Sequence, residues 1–249
     1  SDSSYHDGLA PVAPSAIALE GHVSLLRPKR PHPVPRALET DEMAGVVAAY
    51  KRGAENAKKA GFDGVEIHGA NGYLIDQFLQ DVSNKRTDRY GGSVENRARL
   101  MLEVADACID VWGAGRVGMH LAPRCDAHGM GDSDPAKTFG YVASELGRRK
   151  IAFVFARESL KEPRLGPQLK KAFGGPWIVN EGLTRETAGQ VLAAGEADAV
   201  SFGKDFIANP DLVERLRRNA PLNAWDMKTF YSEGPAGYTD YPAMEEAVA

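Results

Sequence analysis

Between residues 40 and 220 the chain alternates strand-like and helix-like patterns five times, and that alternation limits its folds more than any other feature. The first helix candidate starts after Thr40, which can cap it; Asp41 and Glu42 lie in its first turn, and it ends at Ala60-Gly61. A short β-branched run, Asp63 to His68, follows at strand length. From Ser93, the residues Val94, Ala98, Met101, Leu102, Ala105, Cys108, Ile109 and Trp112 form one apolar helical stripe. Strand Val117 to Leu121, a helix opened by Asp134-Pro135, strand Ile151 to Phe155, and a helix at Gly166 to Phe173 come next. Strand Trp177 to Asn180, a helix capped by Thr184, strand Ala199 to Phe202, and a helix at Asp211 to Arg218 complete the series.

Repeated strand-helix units imply parallel strands joined by right-handed crossovers. An open doubly wound sheet and a closed barrel both satisfy this pattern. The polar loops 69 to 92 and 122 to 133 follow strand ends, where either fold builds its site. No Gly-x-Gly-x-x-Gly follows a strand, which puts the barrel slightly ahead. The chain reads as one domain, with an irregular, proline-rich stretch at 1–39 and a tail at 221–249. Short extended pieces such as His22 to Leu26 fit within the first stretch.

Bulk properties remove several function classes. A net charge of -4 and dispersed Lys and Arg give no footprint for nucleic acid. The densest basic run, Arg27, Lys29 and Arg30, is broken by prolines and reads as a solvated loop. Apolar stretches fall well short of the roughly 20 residues a membrane helix needs. Two cysteines without ligand spacing suit a reducing, cytoplasmic compartment; Cys108 reads as core filling and Cys125 as a loop residue.

The segment Gly61-Phe-Asp-Gly-Val-Glu-Ile-His68-Gly-Ala-Asn71-Gly-Tyr73-Leu places an imidazole, a carboxamide and a phenol within six residues of a strand end. His68 and Asn71 can donate to one oxygen gaining charge, and Tyr73 can act as an acid. Taken alone, a satisfied core histidine and a packing tyrosine are the commoner reading. The run continues through Asn84-Lys-Arg86-Thr-Asp88-Arg-Tyr90-Gly-Gly-Ser93 and Glu95-Asn96-Arg97. As a whole it resembles the Old Yellow Enzyme family of FMN-dependent alkene reductases. The resemblance implies that His68 and Asn71 bind the substrate's activating oxygen, that Tyr73 delivers the proton, and that hydride comes from FMN. It implies an α/β fold, a (β/α)8 TIM barrel, of which this chain supplies strands four to eight.

Two further segments resemble the same family. Asp198 to Lys204, followed by Phe206-Ile-Ala-Asn-Pro-Asp-Leu212, looks like its eighth strand and phosphate loop, so the cofactor-binding candidates are Gly203 and Lys204, with Glu181 and Gly182 from the seventh strand. Lys204 stands where many relatives have arginine; it can neutralise a phosphate but not grip it as a fork. Phe230-Tyr231 with Gly237 to Pro242 resembles the C-terminal segment, which gives Tyr231 a substrate-lining role. One departure stands out. Many members carry a fifth-strand arginine that reaches the flavin; here Gly118-Met-His120-Leu-Ala-Pro-Arg124 offers either a flavin-facing His120, neutral or protonated, or Arg124 from the loop.

The expected activity is ene-reduction of α,β-unsaturated carbonyl or nitro compounds with NADH or NADPH. The larger dienoyl-CoA-reductase branch, with its iron–sulfur cluster, is disfavoured by the cysteine count. A barrel fragment that binds no flavin and does no chemistry is the alternative from another class. Five strands leave two edges open, so a complementary N-terminal fragment carrying strands one to three is the expected partner.

Overall fold

The computed structural model describes residues 2–5, 7–23, 26–124 and 127–244. Two short strands, β1 (Val12–Ala13) and β2 (Arg36–Ala37), pair in parallel within the proline-rich stretch, where His22 also bridges Pro31. The basic run lies exposed, as its prolines suggest.

The main sheet has five parallel strands: β3 (Val65–Gly69), β4 (Val117–Leu121), β5 (Phe153–Arg157), β6 (Trp177–Asn180) and β7 (Ala199–Val200). Their order is β3-β4-β5-β6-β7, each strand beside the one before it. A doubly wound sheet reverses direction at a switch point; this one never does. The winding is that of a barrel.

Side chains of one strand parity pack outward. Ile67, Met119, Val154 and Trp177 are buried and join a core with helices α1 (Met43–Lys59), α3 (Val94–Trp112), α4 (Pro135–Arg149) and α5 (Gly166–Phe173). At about 25 cal/mol per Å² of apolar surface, burial on this face is the main stabilising term. The helix starts follow their side-chain chemistry. Ser93 accepts from the Asn96 amide, Asp134 from the Lys137 amide, and Thr184 forms a reciprocal box with Thr187 at the start of α6 (Arg185–Ala193). Cys108 is buried on the α3 stripe, as expected; Cys125 lies outside the described residues.

The opposite parity faces inward. Glu66, Phe153, Phe155 and Ile178 border a cavity of about 620 Å³, together with residues of α8 (Leu212–Arg218).

Several boundaries move from the sequence reading. Thr40 does not cap α1: Glu42 occupies that position, and the Thr40 hydroxyl donates instead to Asp88. The strands drawn at 63–68 and 151–155 each lie further along, because they are set by pairing with β4. Only two residues of the 199–202 run pair, so β7 is short. Two helices were not anticipated: α2 (Leu74–Leu79), within the long loop, and α7 (Lys204–Ala208). Both are under two turns, too short for periodicity to reveal.

Candidate active site

His68 is the fourth residue of β3 and pairs in register with His120 of β4. The parity that sends Ile67 into the helical core sends both imidazoles to the inner face. Their Nδ1 atoms lie 3.1 Å apart, so one nitrogen must carry a proton and the other must not. The Tyr73 ring stands edge-on to His68, with centroids 5.3 Å apart, and is 59% exposed. Phenol and imidazole therefore border one accessible space.

The turn between them is built for this placement. Asn71 takes a left-handed backbone (φ 58°), which asparagine tolerates, and its carbonyl accepts from His128 Nδ1 at 2.8 Å. Gly72 also has positive φ, and a Cβ there would lie 2.9 Å from both His128 and Met130. The Gly72 amide donates to Asp76 Oδ2 at 2.8 Å, and Gln80 Nε2 donates to Asp76 Oδ1 at 2.7 Å. Burial nonetheless raises the Asp76 carboxyl to a pKa of about 6.

The motif that extends to Arg97 supports this turn from below. Asn84 donates to the carbonyls of Phe78 and Tyr90. Arg97 donates to the Leu79 carbonyl, to Asp132 Oδ2 at 3.0 Å and to Thr138 Oγ1 at 2.9 Å, tying the β3 loop to the β4 loop and α4. These residues carry the resemblance and form the scaffold; they are not the reacting groups.

His120 is 7% exposed, and its Nε2 is buried without a partner among the described residues. Desolvation, with the neighbouring His68 and Arg157 adding to it, holds its pKa near 4, so the ring is neutral at physiological pH. Of the two protonation states that the sequence left open for a flavin-facing His120, this environment favours the neutral one. The alternative, Arg124, is not brought to the site: its guanidinium turns to the carbonyls of Lys161 and Pro163.

The cation beside this cluster is Arg157, at the end of β5, which the sequence reading passed over. Its NH1 donates to Asn71 Oδ1 at 3.0 Å, while Nε and NH2 reach the Glu181 carboxylate. The available signal was parity: Arg157 shares the inward phase of Phe153 and Phe155, and an inward arginine at a strand's C-terminal end is unusual unless it has a task. Glu181, expected to act through its backbone, engages through its side chain.

At the far side of the sheet, Gly182 follows β6 with φ 67°, and Gly203 follows β7. A Cβ on either would meet nothing within 4 Å, and neither amide has an acceptor among the described residues. Lys204 begins α7, exposed, with its ammonium 4.3 Å from the centre of the Trp225 ring. Two open amides and a lysine suit an anion, and the unpartnered His120 nitrogen suits a polar heterocycle, so these residues fit FMN. Tyr231 is not brought to His68: it is 83% exposed, and its backbone N–H donates to the Tyr238 hydroxyl.

Comparison with known proteins places the chain in a family. Residues 6–223 match the model of the NADH:flavin oxidoreductase / NADH oxidase family. A "probable flavin mononucleotide-dependent alkene reductase" of Leishmania infantum is 45% identical over 250 residues, covering 97% of this chain and 68% of that protein. The 12-oxophytodienoate reductase 1 of Oryza sativa subsp. japonica is 44% identical over 224 residues, covering 85% of this chain and 58% of that one. Among solved structures, the old yellow enzyme homologue from Zymomonas mobilis superposes with a TM-score of 0.93 at 42% identity, over 97% of this chain and 70% of the other. Morphinone reductase in complex with tetrahydroNAD gives 0.92 at 44% identity, over 98% and 69%. The chain thus spans between just under three fifths and seven tenths of the length of these proteins, and its five strands are part of their (β/α)8 barrel. Motif, winding order and relatives agree: this chain belongs to the NADH:flavin oxidoreductase / NADH oxidase family, among the Old Yellow Enzyme-type ene-reductases.

Proposed function

We propose that this chain carries the substrate side and the phosphate side of an FMN-dependent ene-reductase, which reduces the activated C=C bond of α,β-unsaturated carbonyl or nitro compounds with electrons from NADH or NADPH. The observation that carries this reading is the convergence at the tip of β3: His68 and Tyr73 share one accessible space, and Asn71 is fixed between them. The chemistry FMN supplies when bound is hydride transfer to the alkene β-carbon, renewed from the nicotinamide.

His68 and Asn71 hold the substrate's carbonyl or nitro oxygen. Hydrogen bonds from both strengthen as negative charge develops there, which lowers the barrier. Tyr73 completes the addition by giving its phenolic proton to the α-carbon, so one hydride and one proton saturate the bond. Gly182 and Gly203 offer amides to the FMN phosphate, Lys204 neutralises it, and His120 offers Nε2 to the ring. Tyr231, exposed in this structure, would line the substrate space only once barrel closure carries the tail over the inner face.

Barrel closure is part of the proposal. Among the described residues, β3 and β7 each pair on one side only. A complementary segment with three strands would cover both edges and the inner face. The test is to purify the protein with and without such a segment, titrate it with FMN, and assay NADPH-dependent enone reduction. Retained yellow flavin with turnover is expected when the strands are present. His68→Ala or Asn71→Ala should then lower kcat/KM by about 10²–10³, and Tyr73→Phe should slow protonation by about 10² or more. A complete barrel that takes up no FMN would leave the reading without support and favour a non-catalytic fragment.

A further inference from the structure

We propose that Arg157, braced by Glu181, is the positioning residue that sets which way the Asn71 amide faces. This inference rests on the oxygen site proposed above and deepens it.

A side-chain amide has two faces of opposite sense: the NH2 donates, and the carbonyl oxygen only accepts. A half-turn about the last side-chain bond exchanges them with almost no change of shape. Binding a substrate oxygen requires the NH2 face, so the rotamer must be biased. In this chain the bias has a visible source. Arg157 NH1 donates to Asn71 Oδ1 at 3.0 Å, and a guanidinium cannot accept, so only the carbonyl face can turn toward it. The NH2 is left for a ligand. A charge-assisted bond to the carbonyl also polarises the amide and makes its N–H groups stronger donors.

Arg157 is itself held in place. Its Nε and NH2 lie against the Glu181 carboxylate, and Glu181 has a positive φ of 105° at the end of β6. The Asn71 backbone is fixed separately through His128, so Arg157 needs to control only the side chain. Residues from β5 and β6 thereby determine what a residue after β3 presents.

The test is a double-mutant cycle on the flavin-loaded complete barrel, read by calorimetric titration with 4-cyanophenol, an oxyanion probe with no reducible alkene. Asn71→Ala should weaken the probe about tenfold, the size of one hydrogen bond to a charged group. Arg157→Met should weaken it to a similar extent, because the freed amide can present its oxygen to the phenolate. The double variant should bind no worse than Asn71→Ala alone, a coupling expected only if Arg157 acts through Asn71. Arg157→Lys should recover part of the loss, since an ammonium can donate to Oδ1 without gripping Glu181. The proposal is overturned if Arg157→Met leaves the affinity unchanged, or weakens it equally in the Asn71→Ala background. A different result marks failure of the oxygen site itself: His68→Ala and Asn71→Ala both leaving the probe's affinity unaltered.

Discussion

The loops after β3 and β7 both close parallel strands at the same end of the sheet, yet the chain holds them in opposite ways. The β3 loop is tied down by buried polar side chains: Asp76, Gln80, Asn84 and Arg97 are all under 9% exposed and bonded to backbone or to one another. The β7 loop leaves a strand of two residues, passes an exposed lysine, and carries Phe206 at 46% exposure. The difference follows from what each loop is proposed to do. Directional donors need fixed angles, and fixing them takes a shell of satisfied polar groups; an anion needs only open amides and a nearby charge.

Breaking the shell around the β3 loop should cost the most. Arg97→Met removes the cationic partner of Asp132, whose side chain is only 1% exposed, and leaves a buried carboxylate with its charge uncompensated, although the Asp81 and Asp134 amides and the Thr138 hydroxyl still donate to it. Such losses run to about 3–5 kcal/mol. Chemical denaturation should show a large drop in midpoint, and the same substitution at exposed Arg217 should show almost none.

The next effect depends on pH and separates two groups within the same site. Asp76 is raised from 3.8 to about 6, so the folded state binds its proton more tightly, and the stability from this group falls as pH rises through that range. His120 is lowered from 6.5 to about 4, so the unfolded state binds the proton more tightly, and stability rises with pH over nearly the same window. Each shift corresponds to about 3 kcal/mol, with opposite sign, so they largely cancel in the native protein. Asp76→Asn should expose the rising slope and His120→Gln the falling one between about pH 4 and 6. Urea midpoints across that range provide the check, and parallel curves for the two variants would contradict the assignment.

Much of this was legible in the sequence, for identifiable reasons. The apolar stripe of α3 and the helix starts at Ser93, Asp134 and Thr184 follow local rules, and they held. Winding direction was not legible in the spacing, which does not encode which neighbour each strand will choose; the motif's resemblance implied a barrel, and the unbroken order of the five strands bears it out. The charge beside the site was placed on the wrong strand. His120 and Arg124 were read from positions along β4, whereas a site at strand ends is assembled across strands, and Arg157 comes from the next one. Thr40 was read as a cap from its type and position, but a tertiary partner, Asp88, competes for its hydroxyl.

The smallest stability effect belongs to the looser region, and it separates fold from function most cleanly. Lys204 is exposed and makes one cation–π contact with Trp225, an interaction contributing about 0.5–1 kcal/mol at a surface site. Lys204→Met should therefore leave the denaturation midpoint almost unmoved. If the β7 loop receives the FMN phosphate, however, the same change removes the lysine's charge from the anion, and FMN affinity should fall about tenfold, the scale of a charge-assisted hydrogen bond. Lys204→Arg should restore it or improve on it, because a guanidinium can grip two phosphate oxygens at once. Flavin fluorescence titration distinguishes the outcomes: unchanged affinity in Lys204→Met would move the phosphate away from β7, while the β3 loop and its donors would stand as described.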